Sequence, residues 1–299
     1  MKIRKSLKFI SCFIIVACLM AFTGCNTGQK DNADKSEGQA VKPSKPIVAV
    51  TIVPEKTFVE AVCGDLAEVI TMVPPGSSPE NYEPVPQEKE KFSKASVYFT
   101  IGVPTEAANI LPSAGNLNIV HLEDKVSKVY PDRTFESGER DPHIWLSPKR
   151  AKVMVMAIAE EMGRLDKGNK DIYKANADNY IKQLDNLDKE ISDSLKAVKN
   201  RKFIVYHPAF GYIAEDYGLQ MYALEEEGKE STIQHLKEMI DLAKKENIKV
   251  IFYQEEIDSS QSEAFAEEIG GKTMKLQPLS GDYINNLKKM AQTMAEVMQ

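Results

Sequence analysis

The chain has 299 residues, of which 42% are hydrophobic and 27% are charged, and its formal net charge is −6. This length is enough for two lobes of ordinary domain size with buried cores. The acidic balance argues against a nucleic-acid-binding protein, which needs a basic surface, and suits an extracytoplasmic protein that handles cations.

The first segment, residues 1–24, has the pattern of a bacterial secretory signal. Its basic start is followed by an apolar run, residues 9–22, that is too short to span a bilayer. Thr23 and Gly24 then place small residues directly before Cys25, as in a lipobox. We therefore predict that the mature chain begins at a lipid-modified Cys25 and is anchored to the outer face of the cytoplasmic membrane. The alternative is an ordinary secreted protein that is cleaved nearby.

Removing the four basic residues of this signal changes the formal charge from −6 to −10. Residues 26–46 contain almost no apolar side chain, so we predict a flexible tether there. Beyond the tether the chain has a single cysteine, Cys63, which cannot form an internal disulfide. Its apolar neighbours predict a small buried residue rather than a metal ligand.

Short apolar strands then alternate with helical patterns, which is typical of parallel sheets covered by helices. The first set of predicted strands is 47–53, 67–73, 97–101 and 118–121, with helices near 56–62, 87–94 and 105–111. The second set is 203–206, 220–224, 249–253 and 273–276, with helices near 233–245, 262–269 and 283–298. We therefore expect an α/β fold with two lobes.

A long helical stretch without Gly or Pro lies between the two sets. Apolar residues recur in it every three or four positions, which places them on one helix face: Ala177, Tyr180, Leu184, Leu187, Ile191, Leu195 and Val198. At 1.5 Å per residue, about 30 residues span roughly 45 Å. We predict a rigid strut, residues 169–200, between an N-terminal lobe, 47–168, and a C-terminal lobe, 201–299. The alternative is the seam of a coiled-coil dimer.

Two of the four histidines are candidate binding residues. His143 stands beside the only tryptophan, just before a helical pattern that starts near Lys149. His207 ends a predicted strand, and ligands of open parallel sheets bind outside the carboxyl ends of strands. Each of the two is either a ligand or a structural histidine. We expect no ligand role for His121, at the start of a loop, or for His235, on a surface helix.

Five motifs follow one another along the chain: Pro-Pro-Gly at 74–76, Pro-Glu-Asn-Tyr-Glu-Pro at 79–84, Asp-Pro-His-Ile-Trp-Leu-Ser-Pro at 141–148, His-Pro-Ala-Phe-Gly-Tyr at 207–212 and Leu-Gln-Pro-Leu at 276–279. Together with the lipobox they resemble the metal-binding lipoproteins of ABC-type zinc and manganese importers, the TroA-like superfamily. The resemblance covers residues 48–299. It implies two α/β lobes, joined by one long backbone helix, that hold a single transition metal between them.

The resemblance also implies a set of metal ligands, with two departures from the family pattern. Glu80 occupies the position of the family's usual first histidine, and His143 and His207 match the second and third ligands. Gln277 occupies the place of a common aspartate. Our hypothesis is that the carboxylate has moved from the C-terminal to the N-terminal lobe, so that the ligand set still carries one negative charge.

The fourth ligand is the least defined part of this set. An amide oxygen is a weak zinc ligand, so Gln277 is expected to orient a water molecule or to leave a position open. Glu255 and Glu256, which follow a predicted strand, are the reserve candidates. The alternative interpretation is that Glu80 is a solvated loop carboxylate and that the site has lost its metal-binding function.

Two histidines and one carboxylate favour Zn²⁺ over Mn²⁺, which prefers oxygen-rich sites. Against zinc, the residues 124–140 lack the histidine-rich loop that many zinc-binding relatives carry. We expect a monomeric binding protein that captures zinc and delivers it to an ABC transporter permease, with manganese or iron as the alternative cargo.

The same ligand types also occur in iron oxygenases with two histidines and one carboxylate, and a surface adhesin is a third class. The chain has none of the common catalytic motifs for hydrolysis or phosphate binding. We therefore expect no enzymatic activity.

Overall fold

The computed structural model describes residues 45–225, 231–257 and 260–298. These residues belong to one compact unit, Ser44–Gln299. The predicted signal, the lipid site at Cys25 and most of the tether lie outside the described residues. Within the described part of the chain, no helix is long and apolar enough to cross a membrane.

The first sheet is parallel throughout and has the strand order β2-β1-β3-β4. Its strands are β1 (Ile47–Val50), β2 (Glu68–Thr71), β3 (Val97–Thr100) and β4 (Ile119–His121). Val48 lies opposite Val69 on one side and opposite Val97 on the other. The helices of this half are α1 (Val53–Cys63), α2 (Pro86–Phe92) and α3 (Leu122–Ser127), with a π-helical turn at Glu106–Ile110.

The first predicted strand, 47–53, is too long, because a helix begins inside it. Pro54 fits the first turn of α1, where its missing N–H costs nothing. The Glu55 carboxylate accepts the backbone N–H groups of Thr51 and Ile52, which satisfies donors at the start of the helix. Cys63 at the other end of α1 is buried, as predicted, and burial raises the pKa of its thiol to about 12.

Two long helices follow the first sheet: α4 (Pro148–Leu165) and α5 (Lys170–Lys196). The 27 residues of α5 correspond to about 40 Å. Its buried residues are Tyr173, Ala177, Tyr180, Leu184, Leu187, Ile191 and Leu195, which confirms the predicted apolar face. This face packs against α4, α1 and the C-terminal helix described below. The coiled-coil alternative is therefore wrong, because the apolar face is covered within the chain.

The second sheet repeats the topology of the first, with the order β6-β5-β7-β8 and parallel pairing throughout. Its strands are β5 (Lys202–Val205), β6 (Gln220–Ala223), β7 (Val250–Gln254) and β8 (Lys272–Leu276). Its helices are α6 (Gly211–Tyr217), α7 (Ile233–Lys245), α8 (Ser260–Glu268) and α9 (Tyr283–Val297). We refer to the halves built on the two sheets as the first and second lobes. Their exact boundaries stay a prediction.

The two lobes share one hydrophobic core, which runs from the first sheet through α4 and α5 to the second sheet. Tyr283, at the start of α9, packs edge-on against Phe58 of α1 with the ring centroids 4.8 Å apart. Its hydroxyl donates to the Trp145 carbonyl at 2.5 Å, and the Trp145 indole N–H donates to the Pro278 carbonyl at 2.9 Å. The core and these bonds hold the second lobe against the first.

Candidate metal centre

Three predicted ligands meet where the two lobes face each other. Glu80 lies in the loop that follows β2, and His143 precedes the short helical turn Ile144–Leu146 before α4. His207 lies two residues beyond the end of β5. One ligand atom from each of the three side chains lies within 4.8 Å of the others. The structure therefore brings together Glu80, His143 and His207 from both lobes.

The distances within this group are short. The Nε2 atoms of His143 and His207 are 3.2 Å apart. Glu80 Oε1 lies 3.7 Å from the Nε2 atom of His207 and 4.0 Å from that of His143. Both histidines are buried, with 4% of their surface exposed, and the Glu80 side chain is 24% exposed.

Each histidine is oriented by a carboxylate behind it. His143 Nδ1 donates to Asp141 Oδ1 at 2.8 Å, and the same oxygen accepts the His143 backbone N–H at 3.0 Å. His207 Nδ1 donates to Glu225 Oε2 at 2.9 Å. Because an ionised carboxylate only accepts hydrogen bonds, these contacts assign the ring proton to Nδ1 in both residues. Both Nε2 atoms then direct lone pairs into the site, as metal ligands do.

Two lone pairs that face each other at 3.2 Å repel, and a cation between them turns the repulsion into attraction. Zn–N bonds of about 2.05 Å in a tetrahedral site separate two ligand nitrogens by about 3.3 Å. The observed Nε2 separation matches this value. Glu80 Oε1, at 3.7 and 4.0 Å from the two Nε2 atoms, would have to move inward by roughly half an ångström to reach a similar separation of about 3.3 Å from both.

The cavity at this group has a volume of about 10 Å³, which corresponds to a single water molecule or ion. Pockets for organic ligands are commonly some 300–1,000 Å³. Trp145 forms part of the wall, and the centroids of its ring and that of His143 are 5.1 Å apart. The cavity therefore fits a single ion and excludes an organic solute.

The structure does not bring Gln277 to this group. Its side chain is exposed, and its amide donates to Glu255 Oε2 at 2.7 Å. Glu255 is exposed as well and pairs with Lys275 at 3.2 Å. The hydrogen bond from Gln277, together with Lys275, lowers the pKa of the Glu255 carboxyl. Strand β8 ends with Leu276 buried, and this directs the next side chain outward.

The second reserve residue, Glu256, does line the cavity. Its Oε2 atom is buried and has no hydrogen-bond partner among the residues that the structure describes. Burial raises the pKa of this carboxyl above its usual value. Glu256 does not belong to the group whose ligand atoms all lie within 4.8 Å.

Sequence reasoning missed the supporting carboxylate Glu225 and the cavity-lining, buried Gln254. Glu225 directly follows the predicted end of a strand at 224, and this placed it at the same sheet edge as His207. That signal was available from the sequence. His121 and His235 lie outside the group: His121 Nδ1 contacts Thr100 and Glu123, and His235 Nε2 contacts the Ala223 carbonyl.

Comparison with known proteins gives consistent results. Residues 48–297 match the family described as "ZnuA: Zinc-uptake complex component A periplasmic". The chain is 29% identical over 291 residues to the high-affinity zinc uptake system protein ZnuA of Bacillus subtilis, covering 92% of this chain and 89% of that protein. It is 27% identical over 317 residues to the zinc-binding lipoprotein AdcA of Streptococcus pneumoniae, covering 96% of this chain but only 61% of that protein.

A crystal structure of ZnuA superimposes with a TM-score of 0.79 at 35% sequence identity, covering 85% of this chain and 99% of that one. This match confirms the predicted α/β fold with two parallel sheets and a long helix. The named relatives are components of uptake systems or zinc-binding proteins and not enzymes, in agreement with the prediction of a binding protein. The chain belongs to the family of periplasmic ZnuA components of zinc-uptake complexes.

Proposed function

We propose that this protein captures one Zn²⁺ ion between its two lobes outside the cytoplasmic membrane and delivers it to the permease of an ABC-type importer. The observation that carries the proposal is the pair of Nε2 atoms, 3.2 Å apart in a cavity of ion size, on two rings whose Nδ1 atoms each contact a carboxylate. The names of the relatives, which bind zinc or belong to zinc uptake systems, support the same cargo.

In this proposal Glu80, His143 and His207 are the protein ligands. Two neutral imidazoles and one carboxylate suit Zn²⁺, which accepts nitrogen and oxygen ligands in a four-coordinate site. The fourth position belongs to a water molecule that Glu256 Oε2 holds, or to Glu256 itself. The two carboxylates together balance the charge of the ion. Manganese is the alternative cargo, since additional oxygen ligands favour it.

Capture and release are the events that the two-lobe arrangement supports. Glu80 and His143 come from the first lobe and His207 from the second, so a small change in lobe contacts alters the two distances that join His207 to Glu80 and to His143. We propose that docking on the permease supplies this change. The predicted lipid on Cys25 and the tether keep the carrier near the membrane, which raises its effective concentration at the permease.

The iron-oxygenase alternative has less support. Such enzymes bind an organic substrate beside the metal, and a cavity of about 10 Å³ gives no room for one. A cavity with room for an ion but not for an organic substrate suits a carrier.

The test of this proposal is the substitution Glu80→Gln, with Glu83→Gln as the matched control. Glu83 lies in the same loop and is exposed. Replacing a charged ligand by a neutral amide, a weak zinc ligand, is expected to weaken zinc binding at least as much as the loss of a supporting group does, about 10- to 100-fold, measured by competition with a chromophoric chelator. The control is expected to bind as the unmodified protein does. Equal affinity of both variants would remove Glu80 from the site.

A further inference from the structure

Arg133 lies in the segment between α3 and His143 and connects the site to the second lobe. Its Nε donates to Asp141 Oδ2 at 3.3 Å, and its Nη1 lies 3.7 Å from Glu215 Oε2 of α6. The other oxygen of Asp141 holds the ring and the backbone N–H of His143. Arg133 is therefore linked to the proposed ligand His143 through Asp141, and to the second lobe through its ion pair with Glu215.

Helix α6 is docked on this segment by further contacts. The Tyr212 hydroxyl donates to the Asp141 carbonyl at 2.9 Å and accepts the Arg133 backbone N–H at 3.2 Å. Glu215 Oε1 accepts from Arg150 Nη2 of α4 at 3.0 Å. Arg133 and Arg150 of the first lobe thus both contact Glu215 of the second lobe. Helix α6 also binds the backbone of Asp141 through Tyr212.

The approach of α6 to this segment is close enough to require a glycine. A Cβ atom at Gly211 would lie 2.5 Å from Arg133 Nε and 2.8 Å from Asp141 Oδ2. Both distances are shorter than side-chain contacts allow, so the first residue of α6 touches the pair itself. A shift of α6 toward this segment would therefore displace Arg133 or Asp141.

We propose that Arg133 is a positioning residue that couples the docking of α6 to the orientation of His143. Asp141 is fully buried, and a buried carboxylate needs a charge partner to keep its position. While α6 is docked, Arg133 fixes Asp141, and Asp141 fixes the His143 ring with Nε2 toward the ion. When α6 moves away from the first lobe, Arg133 loses Glu215 and Tyr212, the Asp141 contact loosens and the ion is released.

The coupling to metal affinity rests on the proposed zinc site, whereas the coupling to His143 itself does not. The first readout is therefore the ring Nδ1–H resonance of His143 in the metal-free protein, followed by NMR. The second is the zinc dissociation constant, obtained by chelator competition. The variants are Arg133→Gln, the conservative Arg133→Lys, and Arg140→Gln as matched control. Arg140 lies in the same segment and pairs with Asp124 and Asp132 at 3.1 and 3.0 Å.

We expect Arg133→Gln to shift or broaden the His143 resonance and to weaken zinc binding about 10-fold, the lower end of the range for residues that support ligands. Arg133→Lys restores most of both readouts, and Arg140→Gln changes neither. A purely structural role would leave the His143 signal of the folded Arg133→Gln variant unchanged. That result, or equal effects of the Gln and Lys variants, overturns the proposal.

A second pair of variants tests the docking without removing a charge. Gly211→Ala inserts a methyl group between α6 and the Arg133–Asp141 pair, while Gly168→Ala places its methyl group at an ordinary 3.6 Å from Asp166. We expect the first to reproduce the His143 shift and the loss of affinity, and the second to resemble the unmodified protein. If the unmodified protein binds no zinc, the proposed function fails, and the His143 resonance still decides the role of Arg133. An unchanged resonance in Gly211→Ala contradicts the coupling.

Discussion

The orientation of two imidazole rings decides the chemistry of the site. Carboxylates behind His143 and His207 hold the protons on Nδ1, so that both Nε2 atoms are free for an ion. Glu80, His143 and His207 were predicted from motif positions, and the structure brings them together. The position of Gln277 could not be predicted, because its direction depends on where β8 ends and on its contact with Glu255.

The first prediction concerns the carboxylate behind His207. Replacing Glu225 by Gln removes the negative charge that makes the imidazole a stronger ligand, and we expect a 10- to 100-fold loss of zinc affinity. Isothermal titration in the presence of a competing chelator measures this loss. Glu263→Gln, at an exposed position of α8, serves as the control. Binding of Glu225→Gln at the level of this control contradicts the role assigned to the charge of Glu225.

A second prediction concerns buried carboxyls in the first lobe, away from the site. Burial, with a smaller contribution from the charge of Glu106, raises the pKa of Glu55 well above its usual value, and burial raises the pKa of Glu106 to about 8. The folded protein therefore holds protons that the unfolded chain has lost. The contribution of these two groups to stability is fully present below the unfolded pKa near 4.3 and is lost as the pH rises through the folded pKa, which is about 8 for Glu106.

Replacing Glu55 by Gln keeps this position neutral at every pH. The backbone N–H groups of Thr51 and Ile52 both donate to Oε2 of Glu55, and Oε1 has no hydrogen-bond partner among the described residues. The side-chain oxygen of glutamine can accept the same two N–H groups, so glutamine is a neutral substitute for the protonated acid. We expect a flatter dependence of the melting temperature on pH between 5 and 9 in metal-free protein. Glu60→Gln, at an exposed position of α1, is expected to keep the original slope. If the melting temperatures of both variants depend on pH in the same way, the raised pKa of Glu55 is refuted.

At the scale of elements, α5 shows what periodicity can predict. Its apolar positions follow one face over about six turns, and the same residues are buried in the structure. Helices α3 and α6 were not predicted, and six or seven residues carry only a weak periodic signal. Helix α2 is equally short and was predicted near 87–94. The start of α1 was placed too late, since the cap that Glu55 supplies depends on a carboxylate reaching back to Thr51 and Ile52.

The third prediction tests the packing of α5. Leu187 is 1% exposed, and replacing it by Ala is expected to lower the free energy of unfolding by about 2–5 kcal/mol, because a cavity remains in the shared core. Urea denaturation of metal-free protein measures the change. Lys189→Ala, on the exposed face two residues away, is expected to alter the stability by less than about 0.5 kcal/mol. A similarly small change in the stability of Leu187→Ala would contradict the packing of this face of α5 in the shared core.

At the scale of the whole molecule, the two lobes resemble each other in topology and are joined by a continuous core. The sequence predicted this architecture because each lobe carries its own alternation of strands and helices. It did not predict the contacts between the lobes, such as Tyr283 on Phe58 or Tyr212 on Asp141. Those contacts join residues far apart in the chain, and no local pattern encodes them.

The fourth prediction follows from the shared core. A wide hinge opening would expose its apolar side chains to water at a high cost in free energy. We therefore expect small-angle X-ray scattering curves of the metal-free and zinc-loaded protein to superimpose, while the Trp145 environment changes. A clear contraction on zinc binding would show that the lobes move as hinged bodies.

The central claim is tested most directly by metal analysis of the purified protein combined with a zinc titration against a competing chelator, followed by Trp145 fluorescence. The Trp145 ring lies beside His143 and lines the cavity, so its emission reports on the ion. We predict one Zn²⁺ per chain and a saturable fluorescence change, both lost in the His143→Ala/His207→Ala double variant. Failure of the unmodified protein to bind zinc or any other first-row divalent ion would contradict the account.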